Sequence, residues 1–182
     1  MCTLFPLNTG SCANAKGGAA YAYATSLDNI TAITVTAGVI TAVTVTDPLV
    51  KLVPNKNQTS KYDEVGARPN EFSNQIIYNC EGFASFSGKS SDTKKVADSF
   101  ASCCQLVVFW VLNNGNIVVQ GLEIDAAAAG GFTGSKEGDC RCTPSHLSDT
   151  SANESRLELV FNSKNALTSP FTDLTPAELE AL

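Results

Sequence analysis

The sequence predicts a mainly β fold: an antiparallel β-sandwich or rolled barrel with one flanking α-helix and a short C-terminal helix. Two hairpin patterns and one internal amphipathic stretch support this prediction. Residues 30–46 read ITAITVTAGVITAVTVT, and residues 105–125 hold two apolar runs around an Asn-Gly pair. In the middle of the sequence, over residues 91–107, apolar side chains recur at the spacing of a helix. We expect about six to eight strands in one layered domain.

A near-repeat of β-branched residues predicts the first hairpin. ITAITVT and VITAVTVT flank Ala37-Gly38, where Gly38 provides the positive φ of a tight turn. Asp47-Pro48 then ends the pairing, because proline cannot donate to a central ladder. Strict alternation places one apolar set on a single face: Ile33, Val35, Val39, Val43 and Val45.

Residues 49–87 predict two strands separated by a loop. A short strand is expected near residues 49–53, and a loop containing Pro54 and Pro69 follows it up to residue 71. Residues 72–86 then alternate in polarity and predict a long strand or a bent pair of strands, with Gly82 at a bulge. The face expected to be buried carries Phe72, Ile76, Tyr78, Cys80, Ala84 and Phe86.

The amphipathic stretch predicts a helix that covers one face of a sheet. Ser91 or Asp92 can cap its first turn. Its apolar stripe consists of Val96, Ala97, Phe100, Cys103, Cys104 and Val107. Buried cysteines commonly behave as small apolar residues, so we expect the two adjacent thiols to pack in the core.

The remaining chain predicts a second hairpin, a loop, a last strand and a helical tail. Residues 106–112 are all apolar, which indicates a strand buried on both faces, and Asn114-Gly115 predicts a type I′ turn. Residues 126–153 are predicted to be a long loop and residues 155–163 a strand. Thr175-Pro-Ala-Glu178 predicts a capped helix. A single domain is therefore expected over residues 1–170, with a helical tail over 171–182.

Composition excludes several functional classes. The 182 residues include 12 Lys and Arg against 18 Asp and Glu, a net charge of −6, which argues against sequence-independent nucleic-acid binding. One His makes a His-based metal enzyme improbable. The seven cysteines are an odd number, and no signal-peptide pattern opens the sequence, so we expect reduced thiols and folding in a cytoplasm.

Few residue clusters suggest metal binding or catalysis. Cys140, Cys142 and His146 are weak metal-ligand candidates, because structural zinc sites usually contain CxxC pairs. Ser145, His146 and Asp149 lie in one short stretch, whereas triad residues normally come from separate parts of a chain. Scattered carboxylates could pair for glycosidase chemistry, namely Asp63, Glu64, Glu71, Glu81, Glu123 and Asp125. Solvated surface charge is their commoner role, so we expect no catalytic residues, no cofactor and no enzymatic activity.

The order of motifs resembles that of a known group of proteins. ITAITVTAGVITAVTV follows an N-terminal Cys and a Gly-Gly-Ala-Ala-Tyr stretch, and a long strand, a helix and Asn114-Gly115-Asn116 come after it. Gly138-Asp139 and the strand RLELVF at residues 156–161 close the pattern. Over roughly residues 10–170 the chain resembles small structural proteins of Bacteroidota phages, the tail-tube-like or ring-type virion proteins.

This resemblance implies a tail-tube or connector-ring subunit that forms a DNA conduit. Such subunits join inner strands into a continuous barrel within a ring, and the rings stack head to tail. We therefore expect copies of the chain in hexameric or larger rings, contacts with neighbouring virion proteins, DNA passing without specific binding, and no membrane partner. The expected location is the virion, assembled in the host cytoplasm. The hairpin at residues 30–46 and the long loops would form subunit contacts, and the C-terminal helix would dock on a neighbour.

The sequence leaves two other functional hypotheses open. A glycan- or receptor-binding β-sandwich of a virion or cell surface would present aromatic side chains on exposed loops, whereas Trp110 lies within an apolar run. A metal-dependent enzyme would use Cys140, Cys142 and His146.

Overall fold

The computed structural model describes residues 18–54, 60–69, 75–87, 91–103, 105–122, 140–148, 155–165 and 168–182. These residues form a mainly β, sandwich-like fold with two helices and no closed barrel among the strands described. The strands are β1 (Ala19–Ser26), β2 (Ile30–Thr36), β3 (Val39–Val45), β4 (Val50–Leu52), β5 (Ser60–Ala67), β6 (Ile77–Ser87), β7 (Leu106–Leu112), β8 (Ile117–Gln120), β9 (Arg141–Ser148), β10 (Ser155–Asn165) and β11 (Phe171–Thr172). The helices are α1 (Ser91–Ser102) and α2 (Pro176–Ala181).

The strands form two sheets. The larger has seven strands in the order β2-β3-β11-β8-β7-β1-β4, and the smaller has four in the order β5-β6-β10-β9. Every pairing is antiparallel except that of β11 with β3. The expectation of six to eight strands is therefore wrong, because the described residues contain eleven.

Each face of the larger sheet covers an apolar core. One core lies between the sheets. In this core the ring centroids of Trp110 and Phe161 are 5.7 Å apart, and α1 contributes Phe100. The other core lies on the opposite face of the larger sheet and is covered by Leu179 of α2. Strand β7 contributes to both, since Val108 faces the first core and Val107 the second. The prediction of a strand buried on both faces is confirmed.

The larger sheet curls around its second core because one long hairpin bends across it. β1 pairs with β4 and β2 pairs with β3, so residues 19–52 form two successive ladders of a single hairpin. In the sheet order β1 and β2 are five strands apart, which would be ~24 Å if the sheet were flat. The linking 3-10 turn, Leu27–Asn29, spans at most ~14 Å. The hairpin tip therefore folds back over the second core.

The predicted turn of this hairpin is confirmed, but strict alternation along it is wrong at one position. Ala37 and Gly38 both have positive φ, at 52° and 82°, as a type I′ turn requires. In the ladder of β2 with β3, Val35 lies opposite Ile40, whereas Thr34 lies opposite Ala42. Thr41 is therefore an extra residue in β3 and forms a bulge. This bulge places Ile40, rather than the predicted Val39, on the core face.

Two glycine predictions need correction. Gly82 is not at a bulge, because β6 runs through it in unbroken register with both β5 and β10. A Cβ at this position would overlap the ring of Trp110, so close packing requires glycine. In the second hairpin Gly115 has φ 90° but Asn114 has no positive φ, and the turn is therefore not type I′.

The predicted helix α1 is present, with a shorter stripe than expected. Ala97 and Phe100 are buried and Cys103 is partly buried, whereas Val96 is exposed and Val107 belongs to β7. Cys104 and Phe72 lie outside the described residues. Neither described helix has the length and apolar character needed to span a bilayer.

The predicted loop and tail contain strands. β9 occupies residues 141–148, within the loop expected at 126–153; the rest of that loop, apart from Cys140, lies outside the described residues. The tail expected at 171–182 begins with β11, which belongs to the larger sheet, and continues into α2. The last strand is confirmed as β10, with Leu157, Leu159 and Phe161 in the core. The capping box at Thr175 and Glu178 is also confirmed.

Candidate assembly surface

The four sheet edges differ in how well they resist pairing with another chain. β5 carries Lys61, Asp63 and Glu64, β9 carries Arg141 and a proline, and β4 is only three residues long. Charges, prolines and short length are the usual protections of an edge strand. β2 has seven residues and neither a charge nor a proline. Among the edges described, β2 is thus the one with the least protection.

The side chains of β2 present a neutral surface. Thr31, Ala32, Thr34 and Thr36 are exposed, while Ile33 packs into the second core. Residues 30–46 contain no charged side chain at all. The one protective feature is a register shift that leaves Thr31 as an extra residue at the start of the strand. The remaining stretch of the edge offers backbone N–H and C=O groups beside threonine side chains, which pair readily across strands.

Asn29 fixes the corner from which this hairpin projects. Its Nδ2 donates to Thr25 Oγ1 and to the carbonyl of Asp47, both at 2.7 Å. Its Oδ1 accepts from the backbone N–H of Thr46 at 3.1 Å and of Asp47 at 2.6 Å. The side chain therefore ties both strands of the hairpin to the end of β1. Sequence reasoning missed Asn29, although an Asn beside a strand end is a common sign of such side-chain-to-backbone bonding.

Two of the three weak metal candidates, Cys140 and Cys142, lie in the apolar core. Cys140 and Cys142 are buried, and both belong to the core between the sheets. Burial raises the pKa of the Cys142 thiol to about 12, which disfavours the thiolate that a metal ion binds. His146 lies on β9 opposite Leu157. The part of the chain that the structure describes contains no cluster of three metal-ligating side chains.

The structure describes four of the seven cysteines and part of the suggested triad. Cys80, Cys103, Cys140 and Cys142 form no disulfide, whereas Cys2, Cys12 and Cys104 lie outside the described residues. Ser145 is partly buried on β9, and Asp149 lies outside the described residues.

Two of the predicted carboxylates lie side by side, but a lysine joins them. Asp63 and Glu81 are opposite each other on β5 and β6, and Lys61 Nζ lies 3.0 Å from Asp63 Oδ2 and 2.9 Å from Glu81 Oε1. Asp63 and Glu81 are exposed and Lys61 is partly exposed, so this is a surface ion-pair network. Glu71, Glu123 and Asp125 lie outside the described residues.

Glu64 and a serine form a partly buried polar cluster where β10 leaves the smaller sheet. Glu64 Oε1 accepts the Ser169 N–H at 2.9 Å, and burial raises the pKa of the Glu64 carboxyl. The Ser169 hydroxyl accepts from Tyr62 Oη at 2.6 Å and from Asn165 Nδ2 at 3.4 Å. The Ser169 hydroxyl also lies 3.5 Å from Cys80 Sγ. Asn165 Oδ1 is buried and has no hydrogen-bond partner.

A second polar group joins the two sheets. Gln120 is fully buried; its Oε1 accepts from Trp110 Nε1 at 2.9 Å, and its Nε2 donates to the carbonyl of Phe161 at 3.0 Å. These bonds satisfy the indole N–H inside the sandwich and fix the ring against Gly82. Trp110 is therefore a core residue, as its apolar neighbours predicted.

The outer face of the smaller sheet carries a shallow polar depression. Its volume is about 560 Å³, and its exposed side chains are Asn79, Glu81, Arg141, Thr143, Asn162 and Lys164. Among the described residues, no aromatic side chain lines it. Sugar rings are usually held by aromatic faces, so this depression lacks a feature that the glycan-binding alternative requires.

Comparison with known proteins identifies no relative. No family model matches the chain, and neither a curated protein nor a solved structure matches it significantly.

Proposed function

We propose that this chain is a phage virion structural protein that self-assembles as a tail-tube or connector-ring subunit around a DNA conduit. The observation that carries the proposal is the contrast between β2 and the other described sheet edges. A seven-residue edge without charge or proline favours strand addition, and in a soluble protein such an edge needs an intended partner. A neighbouring copy supplies that partner.

The geometry of the hairpin favours a repeated contact between copies. β2 lies at one edge of the larger sheet and the short β4 at the other, so a neighbour added to β2 extends the same sheet. A contact between two different surfaces generates a ring when the rotation between copies closes, and a filament when it does not. The motif resemblance to ring-type virion proteins favours the closed form.

The charge of the chain suits a DNA conduit. A net charge of −6 gives the protein no surplus of cations with which to displace the counterions of DNA. DNA would therefore pass through such a ring without being held. Neutral threonine side chains on the hairpin allow close subunit contact without repulsion between like charges.

The experiment places a charge on the free edge and compares it with the same charge one strand inward. Thr34 and Thr44 are both exposed, but Thr34 lies on the edge strand β2, whereas Thr44 lies one strand inward on β3, which pairs with β2 along its length and with β11 at Ile40. We expect the native protein to form rings or tubes in negative-stain images and light scattering. Thr34→Lys should abolish them, because a charged side chain on an edge strand opposes the addition of another strand.

The matched control, Thr44→Lys, should leave assembly largely intact. Circular dichroism and urea unfolding establish that both variants are folded. A native protein that stays monomeric at high concentration in every salt condition, with or without a tail initiator complex, would refute the proposal. Assembly that is equally insensitive to both lysines would refute the role of β2.

A further inference from the structure

A groove lies between helix α1 and the edge strand β4. Its volume is about 300 Å³; α1 forms one wall, and the ends of β1 and β4 form the other. Val50 of β4 and Val96 of α1 both line it, and their side chains are large, apolar and exposed, at 47% and 40%. The described residues therefore leave an apolar surface uncovered at this edge of the larger sheet.

The backbone of β4 limits what can pair beside this groove. The strand is only three residues long, and Pro48 and Pro54, which have no backbone N–H, stand on either side of it. A strand added here would gain few ladder bonds and would need contacts in the groove as well. Asp47 is the one charged side chain among the described residues that line the groove. A charged side chain brought there would leave water for apolar neighbours, so the groove favours a strand with small, uncharged side chains.

Strand β2 has such side chains on the required face. Successive residues of a strand point to opposite faces, and Ile33 faces the second core, so Ala32 and Thr34 lie on the opposite face of the larger sheet. Val50 lies on that same face, because its partner in β1 belongs to the core between the sheets. A neighbouring copy that continues the sheet at β4 would therefore turn Ala32 and Thr34 toward α1. The edge strands β5 and β9 carry charged side chains, whereas β2 carries none.

We infer that the groove between α1 and β4 receives the edge strand β2 of a neighbouring copy. The contact joins two different surfaces, so each copy offers its β2 to one neighbour and its groove to another, as a closed ring requires. A two-fold contact of β2 with β2 would leave Val50 and Val96 uncovered in both copies. This inference rests on the proposed self-assembly and identifies the surface that receives β2.

A glutamate in the groove tests the inference, because it adds a second carboxylate beside the apolar residues and Asp47. Val96→Glu should abolish the rings or tubes that the native protein forms in negative-stain images and light scattering. Ser99→Glu, at a second exposed lining position, should do the same and replaces Val96→Glu if that variant does not fold. The matched control is Ala101→Glu, which is exposed on α1 but does not line the groove, and which should assemble normally. Circular dichroism and urea unfolding establish that the variants are folded.

A mixture of two inactive variants tests whether β2 and the groove meet each other. Thr34→Glu blocks the edge strand and Val96→Glu blocks the groove, so each variant keeps the surface that the other lacks. Each variant alone should stay monomeric. Their equimolar mixture should form heterodimers with one copy of each variant and nothing larger, which native mass spectrometry detects when one variant carries heavy nitrogen.

The outcomes distinguish the inference from the proposed function. Normal assembly of the two groove variants, with Thr34→Glu inactive, would overturn the inference and leave the proposed assembly standing. Loss of assembly in both kinds of variant, without heterodimers in the mixture, would place β2 and the groove in different contacts and would also overturn it. Loss of assembly in Ala101→Glu would remove the specific role of the groove. Native protein that stays monomeric would contradict the proposed assembly and the inference together.

Discussion

Replacing Asn29 by alanine tests whether one side chain holds the long hairpin at its corner. The substitution removes four hydrogen bonds, two donated by Nδ2 and two accepted by Oδ1. Each such bond contributes about 1 kcal/mol, which sets an upper value of about 4 kcal/mol. Water reaches part of the site and replaces some of these bonds, so we expect Asn29→Ala to lower the free energy of unfolding by about 2 kcal/mol.

Urea unfolding followed by tryptophan fluorescence measures this loss, since Trp110 lies in the core between the sheets. The matched control is Asn114→Ala, in the turn of the second hairpin, where Asn114 Oδ1 accepts a single bond from the Asn116 N–H at 3.0 Å. Asn114→Ala should lower the free energy of unfolding by about 0.5–1 kcal/mol. Equal losses for both variants, at an unchanged dependence on urea, would show that Asn29 is only another turn residue and would refute the corner argument.

The variant Asn29→Asp separates the hydrogen bonds that the Asn29 side chain donates from those that it accepts. Asn29→Asp retains the acceptors for the Thr46 and Asp47 N–H groups but loses both donated bonds. Its unfolding free energy should lie between those of the native protein and Asn29→Ala.

Three further substitutions test separate parts of the fold. Gly82→Ala should cost about 3 kcal/mol in urea unfolding, because its Cβ would overlap the ring of Trp110; a loss under 0.5 kcal/mol would contradict this packing. Ala37→Asn should stabilise the hairpin by about 1 kcal/mol in thermal unfolding, since Ala37 has φ 52°; destabilisation would argue against the type I′ turn. Burial raises the pKa of Glu64, so the folded state binds its proton more tightly than the unfolded state, and native stability falls as pH rises from about 4 through the raised pKa. Glu64→Gln should lack this decline, and a stability difference from the native protein that is constant between pH 4 and 8 would count against it.

Two of the predicted strands have patterns that burial determines. β7 is apolar at every position, and β10 alternates Leu157, Leu159 and Phe161 with polar residues. The strands that the sequence did not predict are β5 and β9 at sheet edges, the two-residue β11, and β1, which lies between β7 and β4. β9 contains Pro144, which an edge strand tolerates because one side of its ladder is free, and β5 carries the charges that protect an edge. In β5 and β9, protection against pairing thus removes the signals by which a strand is recognised.

The corrected side-chain positions depend on contacts distant in sequence. Val39 and Ile40 are both apolar, and only the bulge at Thr41, set by pairing with β2 and β11, decides that Ile40 faces the core. Gly82 has the same property, because its neighbour Trp110 lies on the other sheet. A sequence pattern cannot predict which of two suitable residues meets a partner from another part of the chain.

The corner that Asn29 holds and the C-terminal strand β11 act on the same two strands, β2 and β3. Among the described strands, β11 pairs the β2-β3 unit with the remaining sheet, and the side chain of Asn29 ties it to the end of β1. β11 pairs with β3 at Ile40, so the corner must hold the part of β2-β3 that lies beyond that pairing. Asn29→Ala should therefore lower the yield of assembled particles at a given protein concentration more than Gly82→Ala does at equal loss of stability. Gly82 lies in the smaller sheet, whose described strands do not pair with β2, β3 or β11.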